Sequence, residues 1–201
     1  MAPRKRPTAD AAGFTAIEAL FVVALSVTVG GISLPPLLNV ADDVRAVAAT
    51  RYVAARLQRA RMEAVLRSTN VALRFSPSGG RVSFATYVDG NRNGVLSADI
   101  LLGVDARLGP VDALADHFRG VEFGALPGVP AVDPGGTAPG SDPIRLGSSD
   151  GATFSADGTS STGSVYVLGA GSRQFVVRIY GDTGKTRILK FDGRTRVWRP
   201  L

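Results

Sequence analysis

Apolar positions along this chain fall into three regimes. From Phe14 to Leu34 they are nearly continuous, 21 residues in which Glu18 is the single charge. As a helix rising about 1.5 Å per residue, that run spans roughly 30 Å of hydrocarbon, enough to cross a bilayer. Beyond Pro35-Pro36, which can kink or end a helix, the apolar residues take helical spacing: Val44, Val47, Ala48, Tyr52, Ala55, Met62, Val65 and Leu66. Arg45, Arg51, Arg56, Arg59 and Arg67 fall mostly between them, which predicts one amphipathic helix reaching about Arg67 with a solvated arginine face. After Ser68 the period shortens toward two. Strands are predicted at Val71 to Phe75, Arg81 to Val88, Ile100 to Val104, Phe118 to Phe123, Ser164 to Leu168, Gln174 to Tyr180, Thr186 to Phe191 and Thr195 to Trp198. Gly, Pro, Ser and Asp crowd residues 124–163, predicting a long loop with at most a short strand around Ile144 to Leu146. The expected class is α+β: a long helix, membrane-spanning in its first half, packed on a mostly antiparallel sheet domain.

Two ordinary explanations compete for the first run. A secretory signal peptide fits the basic start, Arg4-Lys5-Arg6. Yet its apolar part should measure about 7–15 residues and end at small residues, whereas this run is longer and leads into Pro35-Pro36-Leu37-Leu38. A plain anchor helix leaves Glu18 unexplained, since a carboxylate near the bilayer centre costs about 2.5–3.5 kcal/mol and marks a partner more often than an accident. The basic flank places residues 1–13 in the cytoplasm and the rest outside.

Gly13-Phe14-Thr15-Ala16-Ile17-Glu18, with its short basic leader and Pro35 at the twenty-second place after the Gly, resembles the class III leader of type IV pilins and type II secretion pseudopilins. The resemblance implies that a prepilin peptidase cuts after Gly13 and methylates the new amino terminus, Phe14. Glu18 would then pair with the free amine of a neighbouring subunit's Phe14, which makes a buried carboxylate tolerable. The implied organisation is a cleaved leader at 1–13, a transmembrane and filament-core helix at 14–36, its amphipathic continuation at 37–67, and a periplasmic β-rich domain at 68–201. Small residues at Ser26, Thr28, Gly30 and Gly31 permit close helix approach. Farther on, Phe154-Ser155-Ala156-Asp157-Gly158, Gly163 to Val167, Phe175-Val176-Val177 and Gly184-Lys185-Thr186-Arg187 are similar to the GspH/FimT subgroup. The function so implied is that of a minor pilin or pseudopilin: single-pass in the inner membrane, with its C-terminal domain in the periplasm, then built with other subunits into a type II secretion pseudopilus or a type IV pilus.

Composition changes this picture little. Hydrophobic residues are 45% and charged residues 20% of 201 positions, an ordinary globular domain plus the apolar run. Cysteine is absent, so the fold relies on its core rather than on disulfides. The formal charge of +6 falls by two, to +4, once residues 1–13 with Arg4, Lys5, Arg6 and Asp10 are removed. From Ser164 to Leu201 eight Lys or Arg face two Asp, so the basic character belongs to the C-terminal part.

Three constellations could carry chemistry. Asp89-Gly90-Asn91-Arg92-Asn93-Gly94 opens like a calcium loop, with oxygen donors at Asp89, Asn91 and Asn93. Its twelfth place holds Ile100 where a bidentate Glu belongs, so a structural turn is favoured over calcium and no cofactor is expected. Gly184-Lys185-Thr186-Arg187 and Gly193-Arg194-Thr195-Arg196 repeat a Gly-basic-Thr-Arg pattern. On a strand, Lys185 with Arg187 and Arg194 with Arg196 would share faces. Gly193 to Arg196 also matches the Gly-Arg-x-Arg motif that the resemblance links to DNA uptake in FimT-like minor pilins. Phosphate reading by this tail and a charged, aggregation-resistant sheet edge both remain open, DNA being the possible extra partner. An enzyme is not expected: the single histidine, His117, excludes a multi-His metal cluster, and no Gly-x-Ser-x-Gly elbow or phosphate loop is present.

Overall fold

The computed structural model describes residue 13 and residues 15–147 and 151–201, in two units divided after Val40. The predicted leader residues 1–12, the N-methylation position Phe14 and residues 148–150 of the predicted loop lie outside the described residues.

Helix α1 (Ala16–Arg67) is continuous through Pro35-Pro36. It ends at Arg67, the residue the pattern predicts. Ser68 takes a left-handed φ of 50°, while the amides of Ser68 and Thr69 return to the carbonyls of Val65 and Ala64 at 3.3 and 3.2 Å. That pair of bonds satisfies carbonyls the helix end would otherwise leave open. Its packed face differs from the predicted one. Val44, Met62, Val65 and Leu66 are exposed, whereas Ala46, Ala49, Thr50, Val53, Leu57, Ala60 and Ala64 are buried. Small side chains are buried because the sheet comes very close: a Cβ added at Gly169 would lie 2.6 Å from the Ala46 Cβ.

In the unit Ala41–Leu201, strands β1 (Val71–Ser78) and β2 (Arg81–Val88) form a hairpin in full register. Gly79 and Gly80, with φ of 57° and 78°, supply the left-handed pair that a two-residue turn requires. The predicted strand at Ile100 to Val104 is instead helix α2 (Ser97–Leu102). Gly103 closes it in the left-handed region, its amide returning to Asp99 and Ile100; the apolar run Ile100-Leu101-Leu102 is surface, not core. The neighbouring strand falls later, as β3 (Ala106–Ala113), followed by the one-turn helix α3 (Leu114–His117) and a short β4 (Val121–Phe123) in place of the longer strand predicted from Phe118.

Within the predicted loop at 124–163, β5 (Ile144–Arg145) matches the short strand expected there, and β6 (Gly151–Phe154) is an addition. Glycine and small residues hid β6, and its partner β1 is distant in sequence. Strands β7 (Gly163–Gly169), β8 (Arg173–Tyr180) and β9 (Lys185–Asp192) lie where predicted. β10 (Val197–Pro200) begins two residues later than expected.

One sheet has the order β3-β2-β1-β6 and the other β10-β9-β8-β7-β4, with β5 also on β7; every pairing among the described residues is antiparallel. The α1 face, Leu73, Phe75 and Phe84 of the first sheet, and Val165, Val167, Phe175 and Val177 of the second share one core. On the far side of the second sheet Tyr166, Val176 and Leu189 are covered by Ala125, Val132 and Trp198. Both faces of β7 and β8 are therefore buried, which is why their sequences run almost without polar alternation.

Candidate functional site

The amino-terminal part of α1 is built by its own local chemistry. Thr15 accepts the amide of Glu18 on its Oγ1 at 3.3 Å, and Glu18 Oε2 accepts the Thr15 amide at 2.9 Å and its hydroxyl at 2.8 Å. This reciprocal pair is a capping box. Its signal, Thr15-x-x-Glu18, stands in the sequence and was missed there, so the carboxylate has a helix-starting role besides any pairing between subunits. Both bonds use Oε2, and among the described residues none donates to Oε1.

From Thr15 to Gly31 every residue is exposed. Ile17, Leu20, Phe21, Val22, Val23, Leu25, Val27 and Val29 are each more than half exposed, a contiguous apolar surface of the kind that soluble monomers do not show. The hydroxyls in this run turn back to the helix: Ser26 donates to Val22 O at 2.7 Å and Thr28 to Ala24 O at 2.8 Å. Such back-bonding hides polar groups from an apolar medium. Gly13 is exposed, with open space where a Cβ would stand, as are Gly30 and Gly31. Among the described residues no helix is long and apolar enough to cross a membrane; the span expected from Phe14 to Leu34 takes in a residue outside the described ones.

The loop at Asp89 is a self-contained turn. The Asp89 carboxylate, buried, accepts the amides of Asn91, Arg92 and Gly94 at 3.2, 2.6 and 2.8 Å, and the Asn70 side chain at 2.9 Å. Burial pushes its pKa upward, but these four donors outweigh that and hold it below the ordinary carboxylate range. Asn91 and Asn93 point their amide groups at Asp99, at 3.2 and 2.9 Å. Asp105 completes the loop by accepting from Gly90 and Leu96. The Asp89 and Asn91 oxygens marked for calcium thus accept from loop donors, and Asn93 directs its amide nitrogen to Asp99.

The basic tail does not form one strip. Lys185 and Arg187 share an exposed face of β9 as expected, but Arg194 and Arg196 lie in the turn before β10, so they do not share a strand face. Asp192 organises that turn by accepting the amides of Arg194 and Thr195, and Arg196 sits at a left-handed φ of 56°. Five residues of extended strand at about 3.3 Å each, roughly 17 Å, carry the chain from Arg187 to the end of β9 before that turn begins. Arg196 is also engaged, donating to Gly128 O at 2.5 Å, while Trp198 Nε1 donates to Pro130 O at 3.1 Å. Together with the buried Gln174, which accepts the Leu126 amide and donates to Gly124 O, they fasten the loop after β4 over the second sheet.

His117 lies beside the core. Its Nε2 is 2.8 Å from Asp112 Oδ1, and Tyr52 of α1 donates its hydroxyl to Asp112 Oδ2. Burial raises the Asp112 pKa, yet the bonds from Tyr52 and His117 more than offset it, leaving the carboxylate below its usual range; burial and Asp112 together push Tyr52 upward. The cluster couples α1 to the β3–α3 junction, a structural role that the single histidine fills without any catalytic partner the sequence marked.

The model of the type II transport protein GspH matches residues 49–183. This chain belongs to the GspH family. The matched stretch begins within the buried half of α1 and ends after β8, so this GspH-family assignment rests on the sheet unit and takes in neither Gly13 nor Glu18. A solved minor pseudopilin, EpsH from the type 2 secretion system of Vibrio cholerae, is similar over 73% of this chain and 97% of that one, at 13% identity and a TM-score of 0.45. No curated protein matches the chain.

Proposed function

We propose that this GspH-family chain is a minor pseudopilin of a type II secretion system. A prepilin peptidase cleaves it after Gly13 and methylates Phe14. Residues 14–36 hold it in the inner membrane with the sheet domain in the periplasm, and α1 then carries it into the pseudopilus beside other pseudopilin subunits. The observation that carries this reading is the exposed apolar helix from Ala16 to Gly31 with Glu18 at its start. Such a surface needs lipid before assembly and neighbouring helices after it. The carboxylate needs a cation once both are desolvated, and a neighbour's Phe14 amine supplies one at Oε1. DNA capture by the tail has less behind it, since Lys185 and Arg187 lie far from Arg194 and Arg196, and Arg196 is spent on Gly128.

The replacement Glu18→Gln tests the charge apart from the cap, because Gln can still close a capping box. Expected is an unchanged helix with cross-linking to other pseudopilins reduced about tenfold, in line with roughly 1.4 kcal/mol or more for a lost desolvated ion pair. Mass spectrometry of the protein from its host should show N-methyl-Phe14 as the first residue; an intact leader there, or undiminished cross-linking of the Glu18→Gln chain, would sink the proposal.

A further inference from the structure

One cleft is lined by the second half of α1 and by β2 and β3, outside the residues 14–36 on which the proposed assembly rests. The register between β2 and β3 slips, with Phe84 facing Asp112 and Thr86 facing Leu108, so Gly109, Pro110 and Val111 stand opposite the single residue Ala85. The surplus bulges the edge strand away, Gly109 adopting a φ of 87°. Between the bulge and α1 lies a cleft of about 260 Å³, walled by Arg56, Arg59, Glu63 and Arg67 on the helix side and floored by Thr86.

Charge in this cleft is unbalanced. Arg67 takes the carboxylate of Glu63 at 2.9 Å. Among the described residues Arg56 and Arg59 make no ion pair, and neither donates a hydrogen bond. Arg56 is nevertheless fixed in place, its Cζ 5.9 Å from the centre of the Phe84 ring, and its Nε is buried without an acceptor. A guanidinium has five donors and cannot shed its charge, so two guanidinium groups with no anionic partner leave the cleft wall positive and suited to an acceptor from outside.

We infer that the cleft binds an acidic peptide segment of a partner protein, a Glu or Asp carboxylate entering to pair with Arg56 and Arg59. Planar guanidinium groups match a carboxylate bidentately. Glu63 on the same wall disfavours a doubly charged phosphate, and the rim of Leu108 and Pro110 offers apolar contact to a peptide chain. Filament assembly is not required for this binding, which a peptide can show with the chain in detergent solution.

Fluorescence anisotropy with a labelled hexaglutamate peptide, and hexaserine as control, tests it on the full chain. Arg59→Gln, at an exposed position where folding is not in question, should weaken hexaglutamate binding about tenfold, as should Arg56→Gln. Glu63→Gln, which removes the competing carboxylate, should strengthen it about threefold, and added salt should weaken it. A double Arg187→Gln, Arg194→Gln control should leave it unchanged. Native affinity in the Arg59→Gln chain overturns the inference. So does a loss that shows only with phosphatidylglycerol vesicles and not with the peptide, which would make the cleft a lipid site.

Discussion

Helix α1 has two halves of one secondary structure and opposite solvation. Between Ala16 and Gly31 its large apolar side chains are all exposed, while between Ala46 and Ala64 the buried positions are mostly alanine. Bulk is kept where the described side chains are exposed, and removed where a sheet lies against the helix. The difference teaches that apolar size on a helix does not reveal which face its own fold buries. Close packing against a sheet is made by small residues, such as Ala46 facing Gly169, because backbone approach brings more atoms into contact than a single large side chain does.

The comparison can be broken most forcefully at Leu57, fully buried in the second half. Leu57→Ala should cost about 3–4 kcal/mol of stability by deletion of buried methylenes and the cavity left behind, read as a drop in the urea midpoint of the full chain in detergent. Ala46→Leu should cost about 2–3 kcal/mol for the opposite reason, since the added atoms meet β7 where no space remains. A neutral result at Ala46 would mean the helix can stand farther from the sheet than its small residues suggest.

Tyr52→Phe sharpens the same boundary through its bond to Asp112. A loss of about 1 kcal/mol is expected at pH 7. Because the Asp112 pKa is depressed in the folded protein, its contribution is present above the ordinary carboxylate pKa of about 4 and disappears as pH falls through the lower folded value. Urea midpoints of native and Tyr52→Phe chains should therefore converge as pH falls through that lowered value. The smallest effect belongs to the first half: Leu20→Ala should change the unfolding free energy by less than about 0.5 kcal/mol, as surface substitutions do, while lowering the fraction recovered with membranes. A stability loss at Leu20 matching that at Leu57 would erase the contrast between the halves.

Reading the sequence succeeded where the signal was local and strongly periodic. The end of α1 at Arg67 and strands β1, β2, β7, β8 and β9 emerged from spacing and turn residues, and the family resemblance to GspH agrees with the match over residues 49–183. It failed where partners distant in the chain decide the outcome. β6 is a four-residue piece of Gly, Ala, Thr and Phe that becomes a strand by pairing with β1, some eighty positions earlier. Ile100-Leu101-Leu102 looks like a buried strand, yet Asp89 and Asp105 tie the surrounding loop so that it closes as an exposed helix turn. At the candidate site, Gly13 and Glu18 were legible as a motif. The cap that Glu18 makes with Thr15 was also written there, but overlooked beside the larger question of its charge.

What the sequence determined by itself was the end of α1 at Arg67, strands β1, β2, β7, β8 and β9, the apolar opening of α1 and the cap between Thr15 and Glu18, because helix starts, hairpin turns and hydrophobic runs depend on neighbours a few residues away. The tertiary structure decided which face of α1 is buried, that Arg194 and Arg196 stand in a turn away from Lys185 and Arg187, and that Arg56 and Arg59 flank a cleft beneath β3. Those facts depend on how closely two surfaces can approach and where a strand slips register, quantities set by contacts between residues far apart along the chain.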